Sequence, residues 1–305
     1  MFGERLAQQI GDRGTPVLVG LDPRCEQLPA ALRPTDRSPQ RTARAYETFC
    51  REIIDVVAPL VAAVKPQSAF FEQLGPPGMA ALQQIIQYAR ARGLIVIFDG
   101  KRNDIGSTAA AYAQAYLGAA SPWQADAVTV SPYLGDDSLE PFITTAIERE
   151  AGVFVLVKTS NPGGPFLQDE LVGGKPLYDK VARLVESAAR ESAGSSGFGA
   201  IGAVVGATYP EQLSQLRQTM PHAWLLVPGF GAQGAGPADV VGAFDDRGLG
   251  AIINSSRGII FAYDRPEYRT RYGQADWQRA VEAATRDMAD QLRAVGIAPT
   301  TRRPP

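Results

Sequence analysis

Histidine is nearly missing from this chain, with a single residue, His222, among 305. One histidine cannot build a histidine-rich metal site. Lying between Pro221 and an apolar run, it offers no Ser-His-Asp triad either. Cysteine is almost as scarce: Cys25 and Cys50 stand alone, with no CxxC pair. That excludes a disulfide framework and a redox motif, and two reduced thiols fit a cytoplasmic protein. Charge of one sign is not in excess. The 30 Lys and Arg against 32 Asp and Glu leave a net charge of −2. With no Lys/Arg run, no nucleic-acid surface is expected. No apolar stretch reaches membrane-spanning length, and residues 1–5 lack the apolar core of a secretory leader. Neither a membrane nor an export route is therefore expected. Any chemistry here falls to lysine, aspartate, arginine and backbone amides.

What the chain does have is a rhythm of short apolar runs. They cover residues 17–21, 61–64, 94–98, 127–130, 153–157, 203–205, 224–227 and 251–253, most of them ending in a polar or Gly/Pro cluster. Helical stripes lie between them: Tyr46, Phe49, Ile53, Val56, Val57 and Leu60, then Met79, Leu82, Ile85, Ile86 and Ala89. Leu177, Val181, Leu184 and Ala188 form a third, and Trp277, Ala280, Ala283, Met288 and Leu292 close the series. Strands apolar on both faces that alternate with amphipathic helices predict a parallel sheet. Eight such units predict a single-domain (β/α)8 TIM barrel over residues 1–298, with reactive groups at the C-terminal strand ends. The rival, a doubly wound open sheet, would more often carry a GxGxxG turn after its first strand, where this chain has Asp22-Pro23-Arg24. Residues 23–40 and 161–176 read as long irregular connections, and 299–305 as a disordered tail.

The stretch Phe98-Asp99-Gly100-Lys101-Arg102-Asn103-Asp104 carries the densest chemistry. Side chains two apart in a strand share a face, so Asp99 and Lys101 point the same way, and Asp104 falls in the turn beyond. Two carboxylates and an ammonium at the end of a buried strand are costly unless paired or used. This cluster is the candidate active site. Gly229, Gly231 and Gly234 let a loop turn its amides toward an anion, and Arg257 past the eighth run adds a charged fork. Residues 105–117 are rich in small side chains, which suits either close packing on the barrel or a two-fold interface.

Together these residues resemble the orotidine 5′-phosphate decarboxylase family, in its long-chain bacterial branch. Asp99-x-Lys101-x-x-Asp104-Ile105-x-x-Thr108 is similar to that family's DxKxxDIxxT signature. Supporting pieces follow in order: Leu21-Asp22-Pro23, Val64-Lys65-Pro66, Thr159-Ser160-Asn161-Pro162, Pro228-Gly229-Phe230-Gly231-Ala232-Gln233-Gly234 and Ser256-Arg257-Gly258. Asn103 stands where the branch more often has glycine. The resemblance implies decarboxylation of orotidine 5′-phosphate to UMP without metal or cofactor. It implies Lys101 as the proton donor to C6, Asp99 against the substrate carboxylate, and Lys65 holding Asp99 and the ribose hydroxyls. Asp22 would bind ribose and Ser160 the base edge. Pro228, Gly229, Gln233, Gly234 and Arg257 would surround the pyrimidine and phosphate. Asp104, with Ile105 and Thr108, would reach in from the second subunit of a homodimer. Lys158 reads as structural. The alternatives are a metal-dependent keto-sugar-phosphate decarboxylase or aldolase on the same scaffold, and a non-catalytic nucleotide-binding protein.

Overall fold

The computed structural model describes residues 1–231 and 234–300. Among them, eight parallel strands close a barrel. They are β1 (Val17–Leu21), β2 (Ala63–Pro66), β3 (Ile95–Arg102), β4 (Ala127–Val130) and β5 (Gly152–Lys158), then β8 (Ile201–Val205), β9 (Leu225–Val227) and β10 (Ala251–Ser255). Each pairs with the next around the ring, and β1 closes it by pairing Val17 with Ile253 of β10 and Leu18 with Ala63 of β2. The strands are buried on both faces, as a parallel sheet wrapped by helices requires.

Four strands run past the ends of their apolar runs, β5 taking in Lys158 and β10 taking in Asn254 and Ser255. The second includes Lys65, and the third continues through Asp99 and Lys101 to Arg102. A sequence reading stops a strand at the first charge, but here the charges neutralise one another and the ladder goes on. The third strand slips register between Phe98 and Arg102, and Lys101 adopts a left-handed φ of 46°. For a residue with a Cβ this costs of order 1 kcal/mol or more, and the Lys101 amide offsets part of it by donating to Thr129 Oγ1 at 2.9 Å.

The predicted stripes form the helices Pro39–Val57, Pro76–Ala91, Leu177–Glu191 and Trp277–Ala294, except that Leu60 falls in the turn after the first of them. In Leu177–Glu191 the buried seam is Ala182, Val185 and Ala189, and the predicted stripe of larger residues flanks it half-buried. Small residues sit where the helix touches the barrel most closely. Helix Phe2–Arg13 buries Phe2, Leu6 and Ile10, with the Phe2 ring edge-on to Phe154 of β5 at 6.1 Å.

The 161–176 connection has more structure than its composition suggests. A short helix, Pro165–Gln168, leads to a hairpin of β6 (Leu171–Val172) and β7 (Lys175–Pro176). Gly173 and Gly174, at φ 63° and 80°, form its two-residue turn, which suits only residues tolerant of positive φ. At the C-terminus the Thr300 amide donates to Arg247 O at 3.0 Å, so Pro299 and Thr300 follow the body of the protein. The remaining five residues of the predicted tail lie outside the described ones.

Candidate active site

The C-terminal ends of the strands surround a cavity of about 570 Å³. Its floor is organised around Asp99. Oδ2 accepts from Lys65 Nζ at 2.5 Å and Gln67 Nε2 at 3.0 Å; Oδ1 accepts from Lys101 Nζ at 2.7 Å and Thr129 Oγ1 at 2.8 Å. Three neighbouring strand ends thus supply one carboxylate with four donors: β2 gives Lys65 and Gln67, β3 Lys101 and β4 Thr129. The Asp99 and Lys65 side chains are 7% and 6% exposed, whereas that of Lys101 is 45% exposed. Of these three charges Lys101 is therefore the one open to a ligand.

Burial alone would push the Asp99 carboxyl up, but Lys65 and Lys101 hold it well below the usual carboxylate range. Burial works against the Lys65 ammonium too, yet Asp99 and then Asp22 raise its pKa above the ordinary lysine value. Both groups stay ionised at neutral pH. A buried chain of alternating charge survives because each member lies against its opposite.

Asp22, just past β1, lines the cavity with Oδ1 buried and unpartnered. Asn254 and Ser256 line the same cavity, and their Oδ1 and Oγ atoms are likewise buried and unpartnered. Buried polar atoms without partners are costly in a protein, and at a ligand site they are the atoms a ligand satisfies. Pro228, Gly229, Phe230 and Arg257 line the cavity near them. Gly229, Gly231 and Gly234 all take positive φ, at 102°, 70° and 92°. The loop folds back through the Gly231 amide, which donates to Ala235 O at 2.8 Å. Gln233 lies outside the described residues. Ser160 forms the opposite wall with Thr159, Asn161, Leu167 and Gln168.

Four predicted residues among those described do not line this cavity: Gly234 in the glycine loop, and three that follow β3. Asp104 spends Oδ1 on the Ile105 amide at 2.9 Å, Ile105 is 56% exposed, and Thr108 is exposed. They sit on the outer side of the rim, just after β3. Tyr133 and Leu134, just after the neighbouring β4, are exposed as well. His222 bonds Glu186 through Nδ1 at 2.6 Å, beyond the N-terminal end of β9 and away from the site.

Sequence reasoning missed four polar residues here: Gln67, Thr129, Asn254 and Ser256. Gln67 and Thr129 had a signal, the first two positions after Lys65 and the second the lone hydroxyl in an otherwise apolar strand. Asn254 and Ser256 share a face by the same period of two, but nothing in the sequence told that face from its opposite.

Fold and site define a (β/α)8-barrel enzyme with a charged reaction floor beside a glycine loop and an arginine suited to phosphate. The sequence model of the orotidine 5′-phosphate decarboxylase / HUMPS family matches residues 15–271, and the chain belongs to that family. The chain is 56% identical over 298 residues to the orotidine 5′-phosphate decarboxylase of Rhodopirellula baltica, covering 96% of this chain and 99% of that one. It is 36% identical over 305 residues to that of Caldicellulosiruptor bescii, covering 96% and 98%. Among solved structures, Leishmania donovani OMP decarboxylase superposes with a TM-score of 0.74 at 33% identity, covering 96% of this chain and 98% of that one.

Proposed function

We propose that the chain converts orotidine 5′-phosphate to UMP without metal or cofactor, as a cytoplasmic enzyme of pyrimidine synthesis. The observation that carries this reading is the Lys65–Asp99–Lys101 chain, with Lys101 facing a cavity of nucleotide size. The names of the relatives support it. So do the free thiols Cys25 and Cys50, and no helix among the described residues is long and apolar enough to cross a membrane.

In the reaction, the bond between C6 and the carboxylate carbon breaks, CO₂ leaves, and the electron pair stays on C6. Lys101 Nζ stabilises that charge and then donates a proton to it, and water reprotonates the amine. Asp99 remains ionised beside the substrate carboxylate, so their repulsion is relieved as CO₂ departs, and it holds Lys101 in place. Asp22 and Lys65 meet the ribose hydroxyls, Ser160 the base edge, and Gly229, Gly234, Gln233 and Arg257 the phosphate end. Enzymes of the slowest reactions lower barriers by about 23 kcal/mol or more. Binding energy from the phosphate therefore has to contribute to the chemical step. Arg257→Ala should raise KM for the nucleotide by about 10–100-fold, the worth of one bidentate charged contact. Steady-state kinetics with thermal melting alongside would check this, and a KM within twofold of wild type would refute it.

The half-buried Asp104 and the exposed Ile105 and Thr108 enter the partner's site in a two-fold dimer, completing a Lys-Asp-Lys-Asp array. Asp104→Ala and Lys101→Ala proteins, each inactive, should then regain activity when mixed. Random exchange puts one intact site in half of the dimers, giving about a quarter of wild-type activity. No recovery after verified subunit exchange would remove the shared site.

The assay that tests the whole reading follows the ultraviolet absorbance of orotidine 5′-phosphate in excess EDTA. Rapid loss of substrate supports the decarboxylase. No loss of substrate, with or without added Mg²⁺, would favour a metal-dependent relative acting on sugar phosphates or a non-catalytic binding protein.

A further inference from the structure

Lys158 ends β5 with its side chain 1% exposed, and it does not line the cavity. A lysine this deep needs a partner strong enough to offset its lost hydration. Its Nζ forms an ion pair with Asp169 Oδ1, and it lies 4.5 Å from the centre of the Tyr209 ring and 5.5 Å from that of Tyr178. These partners come from three different places. Asp169 belongs to the 161–176 connection, Tyr178 to the helix Leu177–Glu191, and Tyr209 to the exit of β8.

The 161–176 connection is also one wall of the cavity, through Asn161, Gly163, Gly164, Leu167 and Gln168. Its outer side is weakly held: Phe166 is 86% exposed, Leu171 69% and Val172 55%. The connection therefore has little apolar packing to fix its position. Two polar ties do so instead. Gln168 accepts from the Thr159 amide at 3.0 Å and donates to Thr159 Oγ1 at 2.8 Å, and the adjacent Asp169 is clasped by Lys158. The β8 exit presses on the same wall, since a Cβ at Gly206 would lie 2.8 Å from Ser160 Cα.

We propose that Lys158 is a positioning residue for the wall that faces the nucleobase. Through Asp169 it seats the 161–176 connection so that Ser160, Leu167 and Gln168 close that side of the cavity on a flat heterocycle. The ammonium touches no substrate atom. Its ion pair and two aromatic faces convert a loosely packed connection into a fixed surface. The proposal rests on the nucleotide reading of the site.

The test compares wild type, Lys158→Met, Asp169→Asn and the double variant Lys158→Met/Asp169→Leu. Each is assayed for kcat and KM with orotidine 5′-phosphate and for the Tm gain on adding UMP. Both single variants should raise KM about tenfold or more, the scale of a small misplacement of a binding wall. The kcat at saturation should stay within about threefold, since the clasp acts on binding. The Tm gain from UMP should shrink in parallel. The double variant leaves no buried charge unpaired, so its Tm without ligand should recover while its KM stays high. If KM and the UMP response are unchanged in folded variants, Lys158 is structural only and the proposal falls. A double variant with wild-type KM would also overturn it, by tracing the defect to an orphaned charge. Should Lys158→Met fail to fold, Asp169→Asn, altered at the half-exposed partner, carries the test. A wild type that neither turns over the substrate nor responds to UMP would refute the nucleotide reading, and the clasp's role with it.

Discussion

Lys101→Ala should lower kcat for orotidine 5′-phosphate by about 10⁴-fold or more while leaving the barrel folded. General-acid catalysis contributes about 10²–10⁴-fold, and one preorganised charge aimed at the developing anion about 10²–10³-fold. Lys101 would supply both, so their loss compounds. Stability should change little for three reasons read from the site. Its side chain is 45% exposed, so truncation leaves no sealed void. Asp99 keeps Lys65, Gln67 and Thr129 as partners. Alanine also inherits the same positive φ at that position and adds no new backbone strain. The measurement is kcat beside Tm, with UMP binding as the control for an intact site. Turnover within tenfold of wild type would remove Lys101 from the proton-transfer role.

Asp99→Asn should be the most destabilising single change in the site. Asparagine keeps the shape but strands Lys65, 6% exposed, with only Asp22 to balance its charge. Breaking a buried pair by neutralising one partner costs about 3–5 kcal/mol. The pH dependence follows from the two shifts. The Asp99 carboxyl is lowered, so its contribution is complete above its unfolded pKa of about 4 and is lost as pH falls through the lower folded value. The Lys65 ammonium is raised, so its contribution is complete below about 10.4 and is lost as pH climbs through the higher folded value. The difference between wild type and variant in urea denaturation should thus be level from about pH 5 to about pH 9 and shrink in acid. A difference that grows as pH falls below 4 would show that the Asp99 charge is not what stabilises the site.

The two predictions differ in sign of exposure, and that difference was not visible in the chain. Asp99 and Lys101 are two residues apart and were legible as neighbours on one face. Which of them is sealed and which is open depends on the register slip after Phe98, a feature of how β3 meets β4. The donors completing the Asp99 shell are far away in sequence, Lys65 by 34 residues and Thr129 by 30. The long connection at 161–176 read as irregular, because its ordering comes from Lys158 and Thr159 on the barrel rather than from a local pattern. Its hairpin had a local signal in Gly173-Gly174, which the surrounding Gly/Pro content masked.

The sequence by itself determined the eight apolar runs, the helical stripes between them, and the placing of charged residues just past the strands. These follow from periodicity and composition, which act over a few residues and need no knowledge of the rest of the chain. Only the tertiary structure decided that Asp99 gathers donors from three strand ends and that Asp22, Asn254 and Ser256, each with a buried unpartnered oxygen, line one cavity. It also decided that Asp104 and Ile105 stay on the outer rim while Lys158 is sealed beneath the wall. Those outcomes rest on strand register and barrel closure, which bring together residues whose separation in sequence carries no record of their meeting in space.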